Sequence, residues 1–234
     1  MKRPVQAVVL LLVGGAVLRI SLTDMYLRFV KPGMRPLLII AALMLLATAV
    51  MTLVHEWRGA AASDEHAGPD RHGRIAWLLI IPVFGMLLIA PPALGSYAAS
   101  RSGTTLSSAS NFPPLPAGDP IALTVYDYAR RAAFDHGRSL GGRQVRLTGF
   151  VLNGAGGRRY LARMIVTCCA ADASPVKVGL AGQVPAGLTP DTWLEVTGRY
   201  TPRSGKDEIN GGIIPYLEVT QARPVPAPAA QYES

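Results

Sequence analysis

The first hundred residues are dominated by apolar stretches. No charged side chain falls between Arg35 and His55, and none between Arg74 and Arg101. Stretches of this kind match the roughly 18–20 residues that cross a hydrocarbon core of about 30 Å. With the apolar run after Met1-Lys2-Arg3, they predict three transmembrane helices: Val5 to Leu22, Pro36 to Val54, and Ile75 to about Leu94. Pro32-Gly33 makes the turn between the first two, and Tyr26, Arg28, Phe29, Lys31 and Arg35 form an aromatic and basic interfacial loop around it. Pro36 suits a helix start. Pro82 predicts a kink in the third span, and Pro91-Pro92 a stop.

Beyond residue 94 the pattern changes twice. Residues 95–120 (GSYAASRSGTTLSSASNFPPLPAGDP) are rich in Ser, Gly, Pro and Ala and read as a flexible linker. Thr124 and Asp127 then form a capping-box-like start, and a helix runs through Phe134 to a stop at Gly137. Alternating segments follow at 143–151, Tyr160 to Cys168, Val176 to Leu180, Trp193 to Tyr200 and Ile213 to Val219, with a turn at 153–157. Five short strands behind one helix predict a small OB-like β-barrel over residues 121–223. Residues 224–234, rich in Pro and Ala, read as a disordered tail. The predicted fold class is therefore membrane α + β: a three-span domain over 1–94, a linker and a barrel domain.

Composition supports a membrane protein. Mean hydropathy is +0.27, half of the 234 residues are hydrophobic and 16 % are charged. The net charge of +8 invites a nucleic-acid reading, but it splits evenly: 10 Lys/Arg against 6 Asp/Glu in residues 1–120, and 13 against 9 in 121–234. Each half is only +4, and the basic residues form no run, so no nucleic-acid partner is expected. Topology by charge is a tie. Lys2, Arg3, Arg58, Arg71 and Arg74 collect on one side of the bilayer, and Arg19, Arg28, Lys31, Arg35 and Arg101 on the other. The signal-like start favours a cytoplasmic N-terminus, and three spans then place the barrel on the extracytoplasmic side of the cell membrane.

Two sets of residues could carry chemistry. His55, His66 and His72 lie between the second and third spans beside Glu56, Asp64, Glu65 and Asp70, which is a ligand set for zinc and related ions. Their spacings fit no compact metal motif, and a solvated loop is the competing reading. The second set is Cys168-Cys169, followed by Ala170-Ala171-Asp172. Neighbours in a regular strand point to opposite faces, whereas at a strand end both sulfurs can turn to one side. Two thiolates then favour a soft or borderline ion such as Zn²⁺ or Cu(I), with Asp172 and His136 as the nearest further ligands. The alternative is cysteine as a small buried hydrophobe. Trp193, Tyr200 and Tyr216 fit either barrel packing or a stacking platform. No complete catalytic constellation is present, so an enzyme is not expected. The cofactor stays open, a divalent or soft metal ion being the class these residues suggest.

Several stretches resemble the YcgQ-like family, uncharacterised bacterial membrane proteins commonly encoded beside a YraQ-type permease. They are Lys31-Pro32-Gly33-Met34; Leu94-Gly95-Ser96-Tyr97-Ala98-Ala99-Ser100-Arg101; Gly142-Arg143-Gln144-Val145 with Gly149-Phe150-Val151; Arg163 to Ala173, which contains CCAADA; Trp193-Leu194-Glu195-Val196-Thr197-Gly198; and Pro215-Tyr216-Leu217. Related chains often carry a denser histidine run between the second and third spans than the three scattered histidines here. The resemblance implies a membrane-anchored, non-pore accessory subunit of a transport complex, with the lipid bilayer and a multi-span permease as partners. The alternative is a membrane-bound metal- or redox-sensing protein that uses Cys168 and Cys169.

Overall fold

The computed structural model describes residues 3–60, 92–108 and 111–234. The chain divides into two compact units, Met1–Pro92 and Ala93–Ser234.

In the first unit, helix α1 (Arg3–Leu22) and helix α2 (Arg35–Ala60) pack against each other through the short turn Pro32–Met34. Gly14 makes this possible: a Cβ there would stand 3.0 Å from Leu46 Cγ. Arg35 closes the turn by donating from Nε to the Ser21 carbonyl at 2.9 Å. Among the described residues, one helical stretch, Pro32–His55, is long and apolar enough to cross a membrane, with 24 residues and a mean hydropathy of 2.8. The apolar part of α1, Gln6–Leu22, is shorter. Most of the expected third span lies outside the described residues, and Ala93 and Leu94 at its end are not helical.

The second unit is built on a seven-stranded sheet: β1 (Ile121–Ala122), β2 (Val145–Asn153), β3 (Arg159–Ile165), β4 (Ser174–Gly182), β5 (Trp193–Lys206), β6 (Ile213–Pro224) and β7 (Tyr232–Glu233). The strand order is β1-β2-β5-β6-β4-β3-β7, and a further β2–β3 pairing closes β2, β5, β6, β4 and β3 into a ring. Two glycines allow the strands to bend into it. A Cβ at Gly149 would meet the Ala162 carbonyl at 2.7 Å, and one at Gly198, beside a bulge, the Glu218 carbonyl at 2.4 Å.

Helix α4 (Val125–Phe134) starts where the sequence indicates, with the Thr124 hydroxyl accepting the Asp127 N–H at 3.0 Å. It touches all five strands of the ring and so lies across one opening. Its Val125, Tyr128, Ala129 and Ala132 join Val145, Leu147, Leu161, Val178, Leu194, Val196 and Leu217 in the interior core. The Tyr128 hydroxyl donates to the Tyr216 carbonyl at 2.7 Å, and burial pushes its pKa up.

Alternation along β2 and β3 also makes a second apolar cluster on their other face: Phe150, Leu152, Tyr160, Ala162 and Met164. Its cover corrects two expectations from composition. Residues 95–120 are not a bare tether. Helix α3 (Ser96–Arg101) lies on β2 and β3 with Ala99 in this cluster, and Asp191 accepts both the Ser96 N–H and its hydroxyl at 2.6 Å. Further along, Thr104 N–H donates to buried Asp207 at 3.0 Å. The tail is likewise ordered at its end. β7 runs parallel to the end of β3, pairing Met164 with Tyr232 and Ile165 with Glu233. Both segments hold because polar groups in them find partners far away in sequence.

Candidate thiol and carboxylate site

Strand β3 ends at Ile165, not at Cys168 as the alternation predicts. Val166 still donates its N–H to the Glu233 carbonyl at 3.0 Å, and the chain then turns. Asp172 folds this turn back on itself. Its Oδ1 accepts the Thr167 N–H at 3.0 Å and its Oδ2 the Cys168 N–H at 2.9 Å, from a 3₁₀ turn over Ala170–Asp172. Its own N–H donates to the Cys169 carbonyl at 3.1 Å. Because the pair sits past the strand, the rule that neighbours face opposite ways no longer applies. The Sγ atoms of Cys168 and Cys169 and a carboxylate oxygen of Asp172 all lie within 4.8 Å of one another.

The site faces solvent: Cys168 and Asp172 are exposed and Cys169 is half-buried, so none of them is core filler. The Cys168 thiol donates to the Asp172 carboxylate. That bond, helped by Cys169, favours the neutral thiol and pushes the Cys168 pKa up to about 11. The same bond, with the N–H groups of Cys168 and Thr167, holds the Asp172 carboxyl below its usual range. A thiol kept protonated is a poor nucleophile. It is a good place for a cation, which displaces the proton and finds the carboxylate already oriented. Zinc–sulfur bonds of about 2.3 Å put two sulfurs about 3.8 Å apart, a small closing movement for a surface loop.

Of the histidines, only His55 and His136 fall among the described residues. His55 is exposed on α2, and His66 and His72 lie outside the described residues. Exposed His136, in the turn after α4, is not among the converging ligands, and no other such group occurs among the described residues. The aromatic residues pack rather than form a platform: Trp193 meets Phe150 edge-on with ring centres 5.8 Å apart, and Tyr216 is buried.

Sequence reasoning missed the charged residues behind the site. Buried Glu233 accepts the Val125 N–H on Oε1 and the Tyr126 N–H on Oε2, each at 3.0 Å, at the start of α4. Arg163 Nε stands 3.4 Å from Glu233 Oε1, while Nη2 donates to the Ala230 carbonyl at 3.1 Å. The Arg163 guanidinium also lies over the Trp193 ring at 4.9 Å. Burial pushes the Glu233 carboxyl up, against the pull of Arg163 and the two N–H groups. A signal existed for Arg163, a charged residue among the apolar positions of a strand, but none for its partner in the tail.

The second unit is thus a helix-covered ring of strands that presents two thiols and a carboxylate on a surface turn. Residues 121–233, from β1 into β7, match the family model of the DUF1980 C-terminal domain, so this part of the chain is similar to an uncharacterised domain family. No curated protein and no solved structure matches the chain.

Proposed function

We propose that the soluble unit captures a soft or borderline cation such as Zn²⁺ or Cu(I) on Cys168, Cys169 and Asp172, and that the chain is a membrane-anchored, non-pore accessory of a transport complex. The observation that carries this reading is the convergence of two sulfurs and a carboxylate oxygen within 4.8 Å on an exposed turn. Three protein ligands leave a fourth coordination position open, which suits uptake and hand-over better than a closed structural site. The apolar stretch Pro32–His55 supports membrane anchoring. The three apolar stretches support a multi-pass arrangement, the YcgQ-like resemblance the permease partner, and the signal-like start followed by three spans an extracytoplasmic placement.

The test is metal stoichiometry of the full chain purified in mild detergent. Cys168→Ala and Cys169→Ala should each remove nearly all bound Zn²⁺, with the double variant adding little, because ligands of one ion act as a unit. If all three variants keep their metal, the two cysteines do not hold it and the reading fails. Thiolates must form, so Zn²⁺ affinity should fall at least about tenfold per unit of acidification below neutral pH. Co-purification separates the two versions of the role. A stoichiometric multi-span partner supports the accessory, and its absence with metal retained supports a stand-alone sensor.

A further inference from the structure

The last five residues are tied to the segment that feeds the thiol turn. Ala230 O is held by Arg163, Tyr232 pairs with Met164, Glu233 pairs with Ile165, and the Glu233 carbonyl accepts the Val166 N–H at 3.0 Å. Thr167 and Cys168 come next. The same short strand reaches three other places. The Glu233 carboxylate binds the first N–H groups of α4, the Tyr232 hydroxyl accepts the Leu94 N–H at 3.0 Å, and the Tyr232 ring lies in the outer apolar cluster. Ala170 and Ala173, which flank Asp172, pack against that cluster too. On this side of β3, β2 pairs only with residues 159–162, and β7 takes up the edge at 164–165.

From this placement we infer that the C-terminal strand is a latch whose closure and cation binding at Cys168, Cys169 and Asp172 form one linked equilibrium. The inference rests on the cation reading above. With β7 docked, the end of β3 is fixed on both edges, so the turn starts from a set position and direction. With β7 released, residues 163–166 lose their partners on one edge, and Ala170 and Ala173 lose part of the surface they pack on. The three ligands must then be gathered from a looser loop, and that ordering cost is subtracted from affinity. Linkage is reciprocal: whatever factor latch closure contributes to cation affinity, the cation returns to latch closure.

The reciprocity supplies the experiment, done on the full chain in detergent with Zn²⁺ as the probe. Glu233→Gln keeps the shape of the side chain but replaces one accepting oxygen with a donor facing the N–H groups of α4, and it leaves Arg163 without its counter-charge. It should weaken Zn²⁺ binding about tenfold, within the usual span of coupling between sites. In the unaltered chain, saturating Zn²⁺ should slow amide exchange at Val125, Tyr126 and Val166 by a similar factor, since their N–H groups are held by Glu233. This second measurement needs no variant and decides the matter if Glu233→Gln does not fold. Zn²⁺ binding with equal affinity in both chains and unchanged exchange at the three amides would overturn the latch while leaving the cation site standing. Absence of Zn²⁺ binding by the unaltered chain would overturn both.

Discussion

The Asp172 carboxylate accepts the Cys168 thiol proton, and this bond stabilises the thiol against the thiolate; the ordinary value of 9.0 rises to about 11. Removing the negative charge should therefore make Cys168 more reactive, the opposite of what loss of an activating base would do. Asp172→Asn should raise the rate of Cys168 alkylation at pH 8 by about tenfold or more, because the rate follows the thiolate fraction. The same change should weaken Zn²⁺ binding, since a carboxylate ligand is lost. An unchanged or slower alkylation rate, followed by mass spectrometry of the modified peptide, would show that Asp172 does not govern this thiol. The residues of the site stood out in the sequence, which left open whether the two cysteines turn to one side at a strand end or fill the core. Adjacent cysteines followed by two small residues and an aspartate fit a turn at a strand end; β3 stops three residues before the expected Cys168, and exposed Cys168 is not the buried filler that was the alternative. The histidine cluster rested on residue type alone, and among the described residues exposed His55 joins no ligand group.

Two elements whose composition suggests disorder are held by buried charge. Lys177, on β4, donates to Asp207 Oδ2 at 2.8 Å and to the Ser102 carbonyl at 2.8 Å; Asp207 also takes the N–H groups of Thr104 and Ile209. Burial alone would raise the Asp207 carboxyl. Bonds from Lys177 and Ile209, with the Lys177 charge, outweigh it and hold the group below its usual range. Both side chains are almost fully buried, so Lys177→Met should destabilise the unit by about 3–5 kcal/mol in denaturant unfolding, and Lys177→Met with Asp207→Leu should recover much of that loss. A depressed carboxyl adds stability above its unfolded value, and that stability is lost as pH falls through the folded one. The gap between wild type and Lys177→Met should accordingly narrow as pH falls toward and below 3.8, the ordinary carboxyl value. A loss under about 1 kcal/mol, or a gap that widens in acid, would count against this pair as the anchor of residues 102–104. None of this was readable in advance. Thr104 and Asp207 are 103 positions apart, Ser96 and Asp191 95, and local composition carries no information about such partners. The strands and α4 were readable because alternation and the Thr124 cap are local.

At the scale of the whole molecule, these contacts move the boundary of the second unit outward at both ends. Composition places it at 121–223, whereas the contacts place it at Ala93–Ser234. The difference is more than connecting chain. The outer face of β2 and β3 carries Phe150, Leu152, Tyr160 and Met164, which Ala99 of α3 and Tyr232 of β7 help to cover. Stripping both covers exposes a contiguous apolar face and takes the Glu233 carboxylate and the Ala230 carbonyl from Arg163; Lys177 and Asp207 keep each other but lose the Ser102 carbonyl and the Thr104 N–H. An exposed patch of that kind promotes association, and unpaired buried charges are strongly destabilising. A fragment of residues 93–234 should therefore give a well-dispersed amide spectrum and a single cooperative unfolding transition. A fragment of residues 121–223 should aggregate, or unfold at a markedly lower midpoint, although it contains every strand of the ring. The two single trims separate the contributions. Residues 93–223 lose the Glu233 bonds to α4 and should destabilise the start of that helix, whereas residues 121–234 lose the Ser102 and Thr104 bonds and should destabilise the region around Lys177. If the 121–223 fragment is as stable as 93–234, the flanking segments are passengers and the composition-based boundary is the correct one.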